Sequence, residues 1–291
     1  MTHKQILPGL LSGLAAASIW GSMYVVSKVV LDVVPPFTLL VVRLILGILS
    51  LGIVIALRPR INITTRQAWQ IFLVGFVGYG VSLGFQFVGT KLSTASNGAL
   101  VTSATPAFIL IFAPFLLTEK TTTRRIIALI ISTLGVVAVI DPRNAELSPA
   151  LFWGNMSLLA AALTWALYSV LVRKVTQTAD VVTSTAIMLA GGLPTSLLLS
   201  GWEIKTQGLG TITWGIIGGI LFLGIISTAI AMFLWNYAFA ELPAAVASLT
   251  FFAQPVVGSL LGWLFLQETI TPLFLIGGVL IAIGLVISST E

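Results

Sequence analysis

Charge is what this chain has least of. Asp, Glu, Lys and Arg make up 8% of its 291 residues, hydrophobic residues make up 57%, and the mean hydropathy is +1.09. A soluble domain carries about 25% charged residues, so this inventory excludes a surface made for water and points to lipid as the solvent. Cysteine is absent, which excludes disulfides and thiolate chemistry and leaves the redox compartment unread. The one histidine is His3, so no His-based metal site or nucleophile–base pair is available.

Carboxylates are missing from the middle of the apolar segments. Asp32, Glu119, Asp141, Asp180, Glu203, Glu241 and Glu268 fall at segment ends, Glu146 in a loop and Glu291 at the terminus. No two share a mid-membrane level, which argues against an intramembrane enzyme, and no filter-like stretch argues for a channel. An exporter of lipophilic cations is expected to hold a buried carboxylate that takes proton and drug in turn. Its absence favours a neutral or zwitterionic solute, or one with an aromatic part. No cofactor and no metal are implied. The net charge of +5 does not indicate nucleic acid, because the cations sit in short loops where they orient a protein in the bilayer.

What the chain does have is apolar length. Crossing a ~30 Å hydrocarbon core takes about 20 residues of helix. Ten such segments are predicted, over 7–31, 36–57, 68–90, 95–118, 124–140, 150–172, 181–201, 212–237, 244–267 and 272–289. The first runs on to Leu31 and has an internal counterpart, so it is not a signal peptide. Placing the N-terminus in the cytoplasm puts nine loop cations inside and four outside, and ten spans return the C-terminus to the same side.

The chain also repeats itself. Residues 91–119 return as 241–268, and in both copies a Pro precedes a Glu by thirteen residues: Pro106 and Glu119, then Pro255 and Glu268. IWGSMYVVSK (19–28) matches TWALYSVLVR (164–173), which sets Trp20 over Trp165 and Lys28 over Arg173. Thr38 falls over Thr183 and Gly47 over Gly192. Five spans per half is an odd number, so the second half enters the membrane upside down. The expected fold is therefore an all-α membrane protein, ten transmembrane helices in two inverted five-helix repeats (1–143 and 144–291) around a central cavity.

The pattern A-x₉-P-x₁₂-E followed by a Gly-containing last helix, read from Ser96 through Pro106 and Glu119 to Gly135 and again from Ala245 through Pro255 and Glu268 to Gly284, resembles the EamA module of the drug/metabolite transporter superfamily. The early Trp and Arg43 in PPFTLLVVRLILG are similar to that module as well, although Met188 stands where the second half would have an Arg. The resemblance covers nearly the whole chain. It implies an exporter of small metabolites in the cell (inner or plasma) membrane, with YddG-type amino-acid exporters a prominent branch. It also implies a cavity lined by helices 1, 3, 4, 6, 8 and 9, with helices 5 and 10 peripheral.

Mid-membrane polar and aromatic groups are the candidate solute contacts. Thr105 and Gln254 each precede a repeated Pro, and a Pro inside a helix frees a carbonyl that lipid cannot satisfy. Pro106 and Pro255 are thus candidate hinges, packed kinks being the other reading. Trp20 and Trp165 sit mid-span, away from the interfacial belts, with Tyr79, Ser82 and Tyr168 at comparable depth; they read either as helix packing or as an amphipathic cage. Arg43, inside the second span, reads as a carboxylate contact or as a side chain reaching outward to water. Asn97 and Asn236, near span ends, read as gates or as helix caps, capping being preferred, and Glu119 and Glu268 are expected to close their own helices or lock loops. The expected activity is alternating-access export of neutral or aromatic amino acids, the alternative being other metabolites, nucleobases or drugs. Membrane lipid and a small solute are the expected partners, nucleic acid is not, and a monomer suffices.

Overall fold

The computed structural model describes residues 3–59, 62–117, 119–140, 149–266 and 272–289. Every regular element among them is helical. In chain order these are α1 (His3–Leu31), α2 (Pro36–Ala56), α3 (Thr65–Leu92), α4 (Ala95–Thr102), α5 (Thr105–Leu116), α6 (Thr123–Ile140), α7 (Phe152–Thr176), α8 (Val181–Thr206), α9 (Trp214–Glu241), α10 (Ala244–Leu249), α11 (Ala253–Leu266) and α12 (Pro272–Ser289). Among the described residues, eight helical stretches are long and apolar enough to cross a membrane, and Leu100–Leu116 is a shorter apolar one.

Local chemistry sets the helix ends. Thr64 and Gln67 form a capping box at α3, Asp180 accepts from Thr183 N at 2.9 Å to start α8, and Thr213 accepts from Ile216 N to start α9. Pro36 opens α2, where a missing N–H costs nothing. The N-terminus of α2 has no side-chain cap of its own. Glu203 of α8 supplies it from across the bundle, one carboxylate oxygen accepting from Phe37 N at 2.8 Å and Thr38 N at 2.9 Å.

Small residues bring the helices together. Gly75 of α3 abuts the Met188 backbone of α8, and Gly191 of α8 abuts Phe72 of α3. On α6 and α12, Gly135 faces Gly277 and Ile281 while Gly284 faces Ala128 and Ser132. That pair forms a satellite core with Phe252 and Phe274, apart from the main core. Such backbone approach is what binds helices in lipid, where the hydrophobic effect does not. Trp69, Trp153, Trp202 and Trp214 are exposed, as expected of belt residues, whereas Trp20, Trp165 and Trp235 are buried. Glu268, expected to close its helix or lock a loop, lies outside the described residues.

Two departures from regular helix matter for the site. Within α3 the stretch Phe76–Ser82 widens to π-helix, and within α9 so does Phe222–Ile230. These wide turns carry Tyr79 and Ser82 in one helix and Ser227 and Thr228 in the other. Tightening occurs before each repeated Pro: α4 ends in i→i−3 bonds from Ser103 and Ala104, and Thr250–Phe252 is a 3₁₀ turn. Pro106 and Pro255 therefore sit in the first turn of a new helix, where no intrahelical N–H is missed.

Candidate functional site

Aromatic rings from three helices meet at mid-bundle. Trp20 of α1 and Trp165 of α7 lie 5.6 Å apart between centroids, edge to face at 83°. Trp235 of α9 is 5.3 Å from Trp20, and Phe251 is 5.6 Å from Trp235. Gly21 allows this, since a Cβ there would meet Gln254 O at 2.8 Å; α1 thus lies directly on α11 and Trp20 beside Gln254. Two indoles are anchored: Trp20 Nε1 donates to Ser227 O at 3.1 Å and Trp235 Nε1 to Ser169 Oγ at 3.2 Å. The third is not, because Trp165 Nε1 is buried without an acceptor.

Beside these rings is a narrow cavity of about 30 Å³. Trp20, Met23, Ser82, Leu83, Gln86, Thr102, Thr105, Ala161, Ala162, Trp165, Met232, Phe251 and Gln254 line it. None of these side chains titrates. Five of the sequence candidates, Trp20, Ser82, Thr105, Trp165 and Gln254, are brought together here. Ser82 Oγ is occupied by Ala161 O at 2.8 Å. Thr105 Oγ1 and Gln254 Oε1, like Trp165 Nε1, are buried and unpaired. An unmade bond at a buried polar group costs about 1–3 kcal/mol, so three on one cavity wall is a costly arrangement unless a solute completes it.

The remaining candidates stand behind the wall. Tyr79 and Tyr168 are fully buried, and their hydroxyls bond one another. Tyr168 also donates to Asn236 Oδ1 at 2.7 Å, and Asn236 Nδ2 reaches Tyr79 at 3.2 Å and Thr185 at 3.0 Å. Arg43 is fully buried as well, which overturns the outward-reaching alternative. Its bonds go to Leu223 O, Thr228 Oγ1 and Ser227 Oγ, with its guanidinium 4.8 Å over the Phe87 ring.

Several end-of-helix expectations are corrected. Asn236 caps nothing; α9 continues to Glu241, which leaves its amide inside the tyrosine network. Asn97 joins Ser93 and Asn155 in a polar cluster, at 3.2 and 3.0 Å. Glu119 closes a different helix from its own, accepting from Ala244 N at 2.9 Å to cap α10. It also pairs with Arg173, whose other nitrogen reaches Phe239 O and Ala240 O at the end of α9. Lys28, the repeat partner of Arg173, likewise takes carbonyls at the end of α3, from Thr90, Lys91 and Ser93.

The Glu119–Arg173 pair ties α7, α9 and α10 together. With both side chains mostly shielded, at 12% and 16% exposure, removing one partner strands the other. Glu119→Ala is expected to destabilise by about 2 kcal/mol, and Glu119→Gln, which keeps the cap, by about half that. Thermal unfolding in detergent measures this; equal melting of all three proteins would show the pair is not formed.

A bundle of membrane-crossing helices around a narrow, uncharged, aromatic-walled cavity defines a multi-pass membrane protein. The chain belongs to the EamA-like transporter family, whose pattern it matches twice, over residues 7–140 and 152–290. It is 29% identical over 284 residues to a probable amino-acid metabolite efflux pump of Salmonella typhimurium, covering 93% of this chain and 91% of that one. It is 24% identical to the uncharacterized transporter YcxC of Bacillus subtilis (strain 168), over 98% and 94% of the two chains, and 26% identical to protein PecM of Dickeya dadantii, over 94% and 89%. A solved protein crystal structure superposes with a TM-score of 0.77 at 21% identity, covering 96% of each chain, a likeness of fold alone.

Proposed function

We propose that this protein is a secondary transporter that exports small metabolites of no net charge, neutral and aromatic amino acids foremost, by alternating access. The observation that carries the reading is the set of unpaired buried groups, Trp165 Nε1, Thr105 Oγ1 and Gln254 Oε1, on one cavity between Trp rings. A donor, a donor–acceptor and an acceptor orient a polar solute, and the rings take its apolar part. The efflux-pump relative from Salmonella points to the same class. The halves 1–143 and 144–291 act as two inverted five-helix repeats, ten spans with both termini cytoplasmic, and the breaks before Pro106 and Pro255 serve as hinges. Trp20, Ser82, Thr105, Trp165 and Gln254 contact solute as this narrow cavity widens to admit it. Tyr79 and Tyr168 join as the sealed side opens.

Counterflow in proteoliposomes tests this. Preloaded phenylalanine, leucine, a nucleobase or a cationic dye is exchanged against labelled solute outside. Saturable exchange of the neutral amino acids is expected. Flux of the dye alone would overturn the choice of solute, and non-saturating flux would overturn a carrier in favour of a pore.

A further inference from the structure

We propose that Arg43 is the anion-recognising element of the transport site, its guanidinium taking the carboxylate of the solute once the Met23 side chain swings aside. This rests on the transport reading above and narrows its substrate class to solutes that bear a carboxylate.

Arg43 sits seven residues inside α2 with no exposed surface. Every hydrogen-bond partner described for it is neutral: Leu223 O at 3.2 Å, Thr228 Oγ1 at 3.0 Å, Ser227 Oγ at 3.4 Å and Met23 Sδ at 3.8 Å. Its Nη1 is buried with no partner at all. A cation within a membrane span is costly, and the usual relief is a carboxylate or a path to water. Among the described residues neither is supplied.

One side chain, Met23, touches both this charge and the chamber, lining the cavity on one face and meeting Nη2 on the other. A thioether is a weak acceptor on an unbranched, three-torsion stem, so its displacement costs little. The neighbouring lining residue, Trp20, is tied to Ser227 O, and the hydroxyl of that same serine faces Nη2. Guanidinium and carboxylate match in a two-pronged geometry, which the free Nη1 and weakly held Nη2 can provide.

The repeat shows that packing does not require the charge. Position 188, the counterpart of 43, is Met, and it is equally buried. Its Sδ lies 3.6 Å from the Tyr168 hydroxyl and 3.9 Å from Asn236 Nδ2, and Tyr168 is the counterpart of Met23. One half thus closes this niche with a neutral thioether against a phenol, and the other with a cation against a thioether. The charge is an addition to a fold that is complete without it, and it makes the chamber polar along one direction.

The test compares L-phenylalanine with L-phenylalaninamide in proteoliposomes containing wild type, Arg43→Met, Arg43→Lys or Met23→Phe. Wild type is expected to prefer the acid. R43M should lose about tenfold in apparent affinity for the acid and nothing for the amide, the size expected of a charge-assisted bond. R43K should recover part of the preference. M23F, which wedges the passage without touching the charge, should weaken the acid selectively and keeps the test alive if R43M is not recovered folded. Unchanged preference in R43M or, failing that, in M23F overturns the assignment while leaving the transport reading in place. Wild type that carries no neutral solute sinks both. A preference that follows replacement of chloride by gluconate rather than the acid group would mean Arg43 serves an inorganic anion, and overturns the proposal too.

Discussion

Thr105→Val and Trp165→Phe are expected to weaken solute binding without weakening the empty protein. Each removes a polar group that is buried and unpaired; valine matches threonine in shape, while in W165F the lost ring volume is set against the same relief. In the absence of solute, deleting an unsatisfied group relieves a penalty of about 1–3 kcal/mol, so the melting temperature should hold or rise. With solute present, each change forfeits a hydrogen bond worth about 0.5–1.5 kcal/mol net. The pair together should cost roughly 10- to 100-fold in apparent affinity. Trp20→Phe supplies the contrast: its indole nitrogen already holds Ser227 O, so its loss should lower thermal stability. Thermal shift with and without solute, read beside counterflow, separates the two. If T105V melts lower than wild type, the threonine is a structural partner and the cavity wall is misread.

How much of this was legible follows from what each inference needed. Trp20 and Trp165 were readable because the repeat superposes them and both fall mid-span. Thr105 and Gln254 were readable because Pro punctuates the chain one residue later. These signals are local. The caps contributed by Glu203 and Glu119 were not readable, because each serves a helix distant in sequence, to which the acid's own segment gives no pointer. Asn236 was misplaced for another reason: a hydropathy boundary near 237 put it at an end, while the backbone hydrogen bonds run on to Glu241. Tyr168 and Met23 show a further limit. They are counterparts in sequence, yet only Met23 lines the cavity. A repeat fixes which residues correspond but leaves open which half faces the open side.

Gly75 sets how closely α3 and α8 approach. A Cβ built there would run into the backbone of Met188. Backbone cannot turn aside as a flexible side chain does, so the helices must part or the chain must rearrange. Gly191 makes the reciprocal contact with Phe72 O, which leaves no slack on the other side. Gly75→Val is therefore expected to abolish a monodisperse folded protein, and Gly75→Ala to destabilise by about 3 kcal/mol or more. Gly52 and Gly201 are the controls: nothing lies within 4 Å of a Cβ at either position. Both sit within helices, so alanine there should be neutral or add roughly 0.5–1 kcal/mol. Size-exclusion profiles and melting temperatures of the four variants decide the matter. A folded, normally melting G75V would mean that α3 and α8 do not cross here. Tyr79 and Ser82, which α3 carries one and two turns beyond the crossing, would then lose their places beside Tyr168 and Ala161, and the cavity wall they support would have to be redrawn.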